Sequence, residues 1–269
     1  MAGTLDLDAY LRRIAWAGPV RRDRATLAGL LQAHMRHIPF ENLDVLLARP
    51  VRLDLESVQR KLVQSRRGGY CFEHATLLAA ALEALGFEAA RHTARVVLVM
   101  PRAQSPRTHM FLTVPLDEGS FVLDPGLGGY APRVPVPLAE GAVAQAGADA
   151  HWMEREGAYW RLRGHQGGRE FDVWYSTLEA ENPVDFELGN HYTATHPQSV
   201  FVNRLMMRAL TPQGRITVVN RDVTLWRGTR SRNWQLVDRA ALRALLKARF
   251  GFDLPEAERL RVPSIPEWD

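Results

Sequence analysis

Cysteine is almost absent from this chain: Cys71 is the only one in 269 residues. No internal disulfide can form, which fits a reducing cytoplasm, and a zinc site built from several thiolates is disfavoured. Long apolar runs are missing too, since none approaches the ~20 residues a membrane-spanning helix requires. The start, Met1 to Asp8, has no basic stretch followed by an apolar one and does not read as a secretory signal. Nor is there a strong excess of one charge. The 34 Lys plus Arg against 30 Asp plus Glu leave +4, and the basic residues are dispersed rather than blocked. A nucleic-acid groove is therefore not indicated, and the densest basic stretch, Arg227 to Arg232 around Gly228, reads as a solvated turn. The modest positive balance suits a phosphate-bearing small molecule.

What is present is a globular composition, 46% hydrophobic, long enough for one large domain or two to three small ones. Helical patterns cover Leu5 to Ala17, Thr26 to His37, Leu55 to Gln64 and Cys71 to Leu85, with Gly86 as a helix-ending residue. From about Ala90 the period changes to two. Strands are expected at Thr93 to Met100, Thr108 to Val114, Ser120 to Leu123, Ala158 to Leu162 and Phe171 to Ser176, close enough in sequence for an antiparallel sheet or small barrel. Leu138 to Ala150, rich in alanine and glycine, reads as a helix or a mobile insertion. After the acidic segment Glu179 to Glu187, further strands are expected at Phe201 to Ala209, Arg215 to Val219 and Val223 to Trp226. A helix capped by Asp238 then covers Arg239 to Phe250. The tail, with Pro255, Pro263 and Pro266, is expected along the surface.

Chemistry concentrates around the lone thiol. Cys71 follows Arg66-Arg67-Gly68-Gly69-Tyr70 and opens a helix, where unpaired backbone N–H groups, the helix dipole and two arginines favour thiolate. A free cysteine is also a small hydrophobe that packs well, and that reading stays open. A reactive thiol needs a base, and the base needs an orienting group. Among nine histidines, His109 opens an alternating strand and shares a face with Phe111 and Thr113, although a half-buried histidine satisfied by a carbonyl has the same pattern. Asp124 closes the next strand across a short hairpin, Pro115 to Gly119, and begins the loop Asp124-Pro125-Gly126-Leu127-Gly128-Gly129. Asp-Pro-Gly is an ordinary turn as well. The glycines leave backbone amides open to a phosphate or carbonyl oxygen.

These segments, with Ile38-Pro39-Phe40-Glu41-Asn42-Leu43-Asp44, Asn190-His191-Tyr192, Thr195-His196-Pro197 and Thr211-Pro212-Gln213-Gly214-Arg215, occur in the order found in the arylamine N-acetyltransferases. The chain resembles that family over nearly its whole length. The resemblance implies an α+β multidomain fold: a helical bundle over 1–86, an antiparallel β-barrel over 87–188 and an α/β lid over 189–269, with a cysteine-protease-like Cys-His-Asp core. It implies acetyl coenzyme A as co-substrate, a small aryl amine or hydrazine as acceptor, and no metal, nucleic acid or membrane partner. By the same resemblance Cys71 is the nucleophile, His109 its base and Asp124 the orienting carboxylate, while Glu41 and Arg67 form a structural ion pair. Phe40, Phe72, Val96, Leu127 and Phe201 line the substrate site, and Thr108, Gly126 and Gly128 approach the coenzyme or the acyl group.

Three positions depart from the family pattern. Pro125 replaces a small β-branched residue, Leu127 a common aromatic, and Ala75 a frequent asparagine. Leu127 bears most on acceptor preference, because a lost ring opens the pocket and weakens stacking. Competing readings keep the triad with another donor or acceptor, as an amide synthase or thioester hydrolase, or keep the fold as a non-catalytic binding protein.

Overall fold

The computed structural model describes residues 3–211, 214–228 and 230–268, so Pro212 and Gln213 of the Thr211 to Arg215 motif lie outside the described residues. Aspartate caps decide where several helices begin. Asp6, Asp23 and Asp54 accept hydrogen bonds from Ala9 N, Thr26 N and Ser57 N at the starts of α1 (Leu7–Arg13), α2 (Arg24–His37) and α4 (Leu55–Gln59). The first helix thus starts two residues later, and the second two residues earlier, than apolar spacing predicts. A two-residue strand β1 (Phe40–Glu41) and the short α3 (Leu43–Leu46) separate α2 from α4, and α5 (Cys71–Ala84) completes the helical part. Gly86, with φ +85°, stops the chain just beyond it.

Eight antiparallel strands form a curled sheet in the order β5-β4-β3-β2-β9-β8-β7-β6, a nearly closed barrel. They are β2 (Ala90–Val96), β3 (Arg107–Leu116), β4 (Gly119–Leu123), β5 (Val136–Pro137), β6 (Val143–Ala146), β7 (Asp149–Glu156), β8 (Tyr159–Gln166) and β9 (Arg169–Ser176). The alanine- and glycine-rich 138–150 segment forms strands and not a helix. It supplies β6 and the start of β7, turning at Gly147 with φ +69°, where an L side chain is disfavoured.

The acidic segment conceals a helix, α6 (Pro183–Thr195). Pro183 sits in its first turn, and the Asp185 carboxylate accepts from Asn182 N at 2.8 Å. The strand expected at Phe201 to Ala209 starts only at Met206. Ser199 caps a short helix α7 (Val200–Asn203), and Asn42 holds the turn by donating to the carbonyls of Phe201 and Arg204 while accepting from Met206 N.

A second sheet follows in the order β1-β10-β11-β12-β13, with β10 (Met206–Thr211), β11 (Gly214–Val219), β12 (Asp222–Arg227) and β13 (Arg230–Gln235). Of the basic Arg227 to Arg232 stretch, Arg227 ends β12 and Arg230 begins β13, while Thr229 lies outside the described residues. Asp238 caps α8 (Arg239–Leu245), which ends in a π turn through Phe250. The tail does not merely lie along the surface: Leu254, Ala257, Leu260, Val262, Ile265 and Trp268 are buried in the core of this sheet. No described helix is long and apolar enough to cross a membrane.

One buried polar chain runs through the helical core. Tyr10 Oη lies 2.9 Å from His34 Nδ1, His34 Nε2 lies 2.9 Å from His74 Nδ1, and His74 Nε2 lies 3.2 Å from the Pro39 carbonyl oxygen. A carbonyl only accepts, so His74 Nε2 carries the proton, His34 Nε2 donates to His74, and Tyr10 donates to His34. Both histidines are neutral. Burial pushes His74 down to about 4, with Lys61 and Arg13 adding repulsion against the carbonyls' opposing effect, and His34 is pushed well below its ordinary value. Unfolded, each titrates near 6.5. The stability these neutral groups contribute is complete above pH 6.5 and lost as pH falls from there towards 4, about 3 kcal/mol for His74 alone. Denaturant midpoints should therefore fall between pH 6.5 and 4.5. A His34→Gln/His74→Gln double variant with the same acid slope as the parent would show that other groups set it.

Candidate active site

Cys71 is the first residue of α5, and its position rests on a tight approach. Gly69 N donates to Pro39 O at 3.2 Å and Glu41 N donates to Gly69 O at 2.9 Å, pressing the Gly68-Gly69 turn against β1. A Cβ on Gly68 would lie 2.0 Å from the Pro39 oxygen. Tyr70 N, one residue before the thiol, donates to Glu73 Oε2 at 3.1 Å and fixes the helix start. Cys71 is buried, with Sγ 3.8 Å from the Thr108 carbonyl oxygen.

His109 comes from β3, opposite Ala94 of β2, and Asp124 follows the end of β4, across a hairpin in which Leu116 faces Gly119. His109 Nε2 and Asp124 Oδ2 are 2.8 Å apart, at 3% and 0% side-chain exposure. Burial alone would lower the imidazole's proton affinity. The charge of Asp124, its hydrogen bond and the Cys71 sulfur outweigh that and raise His109 to about 10. The ring is therefore an imidazolium at neutral pH, paired with the Asp124 carboxylate.

Sequence reasoning misses the third group on Asp124. Trp174 Nε1 donates to Oδ2 at 2.9 Å, and Gly126 N approaches Oδ1 at 3.3 Å. The indole is fully buried and stacked on Phe111, 4.3 Å between ring centroids. Asp124 thus accepts from three donors and is fully buried.

The Glu41–Arg67 pair is present and larger than expected. Glu41 Oε1 accepts from Arg67 Nη2 at 2.7 Å, and Asp44 Oδ1 accepts from Arg67 Nη1 at 2.7 Å. Lys61 Nζ joins Asp44 Oδ2 and Glu73 Oε1, each at 2.8 Å. The network therefore ends on the carboxylate that caps the Cys71 helix. Arg67 is consumed by carboxylates and Arg66 is exposed, so the cation beside the sulfur is His109 rather than the arginines the sequence suggested. Glu41→Gln would leave Arg67 only Asp44 inside a buried cluster and should lower stability by about 3 kcal/mol. An unchanged melting temperature would rule that out.

The expected lining residues divide into two groups. Phe40 and Phe201 lie 6.1 Å apart in the helical core, with the Phe40 ring 3.6 Å from where a Cβ on Gly128 would stand. Phe72 is fully buried 5.9 Å from Tyr70, and Val96 packs inside the barrel. Leu127 packs against both cores. Gly126 touches the Cys71 backbone: an added Cβ would sit 2.3 Å from Cys71 Cα. His191 lies in α6 and His196 stacks on Tyr192, 4.1 Å between centroids, so neither enters the site. No described cluster of His, Cys, Asp or Glu has the makings of a metal site.

The pattern of a family described as N-acetyltransferase matches residues 23–259. The chain is 37% identical over 256 residues to an arylamine N-acetyltransferase of Mycolicibacterium smegmatis, covering 93% of both chains. The chain belongs to the arylamine N-acetyltransferase family. It is 35% identical to the arylamine N-acetyltransferase of Escherichia coli K12, covering 94% of this chain and 90% of that one. The Mycobacterium marinum arylamine N-acetyltransferase solved in complex with CoA superposes with a TM-score of 0.88 at 32% identity, covering 94% of both chains. Members of the family are acyltransferases, and the architecture of bundle, barrel and second sheet is theirs.

Proposed function

We propose that this arylamine N-acetyltransferase family member transfers the acetyl group of acetyl coenzyme A to aryl amines and arylhydrazines through an acetyl-Cys71 intermediate. The observation that carries the reading is the buried His109–Asp124 hydrogen bond, with the Cys71 sulfur 3.8 Å from the carbonyl oxygen of Thr108, the residue before His109. Cys71 thiolate attacks the thioester carbonyl, the bond to the coenzyme sulfur breaks, and His109 gives its proton to the departing thiolate. The amine nitrogen then attacks the acetyl-cysteine, His109 takes up the amine proton, and the Cys71 thiolate leaves. Asp124 keeps the ring oriented and balances its charge throughout.

Thr108, Gly126 and Gly128 are assigned to the coenzyme and acyl group, and Phe40, Phe72, Val96, Leu127 and Phe201 to the substrate pocket. The proposed units are 1–86, 87–188 and 189–269, with α6 (Pro183–Thr195) crossing the second boundary, and a cytoplasmic setting accords with one unpaired thiol. Acetyl coenzyme A supplied without amine should release about one equivalent of coenzyme A per enzyme and leave the acetyl group on the peptide containing Cys71. Initial-rate plots should be parallel. Intersecting lines, or no release without amine, would refute the intermediate.

A further inference from the structure

The pairing of β2 with β3 breaks immediately before His109. Ala94 faces His109, but Arg95 faces Arg107, so Thr108 is an extra residue on β3. Its N–H turns back to the Pro106 carbonyl at 3.0 Å instead of crossing to β2. Such a bulge re-aims the groups it carries and interrupts the ladder that would hold them. Here it carries the Thr108 carbonyl, whose oxygen lies 3.8 Å from the Cys71 sulfur, and it sets the point from which His109 projects.

The other side of β2 is also short of strand partners. β9 pairs with β2 only at Arg95 and Val96, so the backbone groups of Thr93 lie past the end of that pairing. Side chains take their place: Ser176 Oγ donates to Thr93 O at 2.8 Å, and Thr93 N donates to Glu181 Oε1 at 3.1 Å. The same carboxylate oxygen accepts from Thr93 Oγ1 at 2.6 Å and from Arg107 Nη2, while Arg107 Nε donates to Thr93 Oγ1 at 2.9 Å. Thr93 precedes Ala94 and Arg107 precedes Thr108, so one carboxylate joins the two strands across the bulge. The Glu181 side chain is 4% exposed, which shields these charge-assisted bonds from water.

Glu181 is itself anchored, because it directly precedes Asn182 at the start of α6. That helix presses on the same point. A Cβ on Gly189 would lie 3.0 Å from the Arg107 carbonyl oxygen and 2.9 Å from the ring of Phe72, the residue after Cys71. Arg107 is therefore held from one segment by its side chain and by its backbone.

We infer that Glu181 is a positioning residue of the active site: by locking the bulge at Thr108 it fixes His109 relative to the Cys71 sulfur. The inference rests on the acyl-transfer reading above. Glu181 acts through β3 and takes no part in bond making. What it supplies is an acceptor oxygen rather than a charge. Its Oε2 is buried without a partner among the described residues, so Oε1 makes all three bonds. A glutamine keeps that oxygen and can put its amide where Oε2 stands, and Arg107 retains Glu179 as an ion-pair partner.

The test compares the parent with Glu181→Ala, Glu181→Gln and Thr93→Val. One readout is kcat/KM for acetyl coenzyme A and for aniline; the other is the rate of Cys71 alkylation by iodoacetamide at pH 7, scaled to the folded fraction, which needs no substrate. Misplacement of a reacting group by about 1 Å costs up to about 100-fold, so Glu181→Ala should lower both kcat/KM values and the alkylation rate by about tenfold. Glu181→Gln should restore all three to within about twofold of the parent. Thr93→Val removes the hydroxyl from the same clamp and should act in the same direction, which keeps the test open if Glu181→Ala does not fold. Simple loosening of the fold would instead expose the buried thiol and speed its alkylation. Alkylation in Glu181→Ala and Thr93→Val as fast as in the parent or faster, or a glutamine variant no better than alanine, overturns the positioning role. A parent whose alkylation responds to these variants but which acetylates no amine would refute acyl transfer and leave the hold of Glu181 on the thiol standing.

Discussion

Cys71→Ser is expected to lower kcat/KM by at least on the order of 10³-fold while the melting temperature stays near that of the parent. A serine hydroxyl next to the same imidazolium stays protonated. His109, raised to about 10 by Asp124 and the sulfur against its own burial, holds a proton at neutral pH and is a poor base for an alcohol. The substitution is nearly isosteric at a buried position whose sulfur lies 3.8 Å from the Thr108 carbonyl oxygen, so folding has little reason to suffer. Activity within tenfold of the parent would remove Cys71 from the nucleophile's role. A large loss of stability would mean that the site was damaged rather than disarmed.

The parts of this site legible in the sequence are the local ones. Cys71 at a helix start follows from apolar spacing and from the Gly-Gly turn before it, and the His109–Asp124 approach follows from a short hairpin whose register brings β3 and β4 together. Trp174 was not legible in this way. It reaches Asp124 from 50 residues away because β9 pairs with β2, and nothing in the Phe171 to Ser176 alternation distinguishes an indole that donates to a carboxylate from one that only packs. The same limit hid the extent of the ion network. Glu41 and Arg67 came from the family resemblance, but Asp44, Lys61 and Glu73 are joined to them by helix packing.

Element boundaries failed where side chains outcompete periodicity. The run Phe201 to Ala209 is apolar enough for a strand, yet Asn42, some 160 residues earlier, fixes its first part as a turn. In α6 the signals were present in Asn182-Pro183 and Asp185, but the acidic composition of the segment concealed them. The tail illustrates the opposite error. Its prolines exclude long helices, but its apolar residues recur often enough to cover the second sheet.

Asp124→Asn should cost activity on the order of 10³-fold, and its pH profile should distinguish the cause from simple misfolding. Asp124 accepts from three donors: His109 and Trp174 on Oδ2, and Gly126 N on Oδ1. An asparagine has one carbonyl oxygen. If that oxygen serves His109 and Trp174, its amide N–H groups face the Gly126 N–H; turned the other way, they face the ring and the indole. Either arrangement sets donor against donor in a place without solvent, and both remove the charge that holds the imidazolium. His109 is raised above the unfolded value in the parent, so the ion pair contributes stability that is complete below about pH 6.5 and lost as pH rises towards 10. In the variant that support disappears, and burial drives the histidine towards the neutral form at lower pH. Iodoacetamide alkylation of Cys71 across pH 5 to 10 reads this directly. The parent should react quickly at neutral pH, and the variant more slowly there. Superimposable alkylation profiles would show that Asp124 does not hold the imidazolium beside the sulfur.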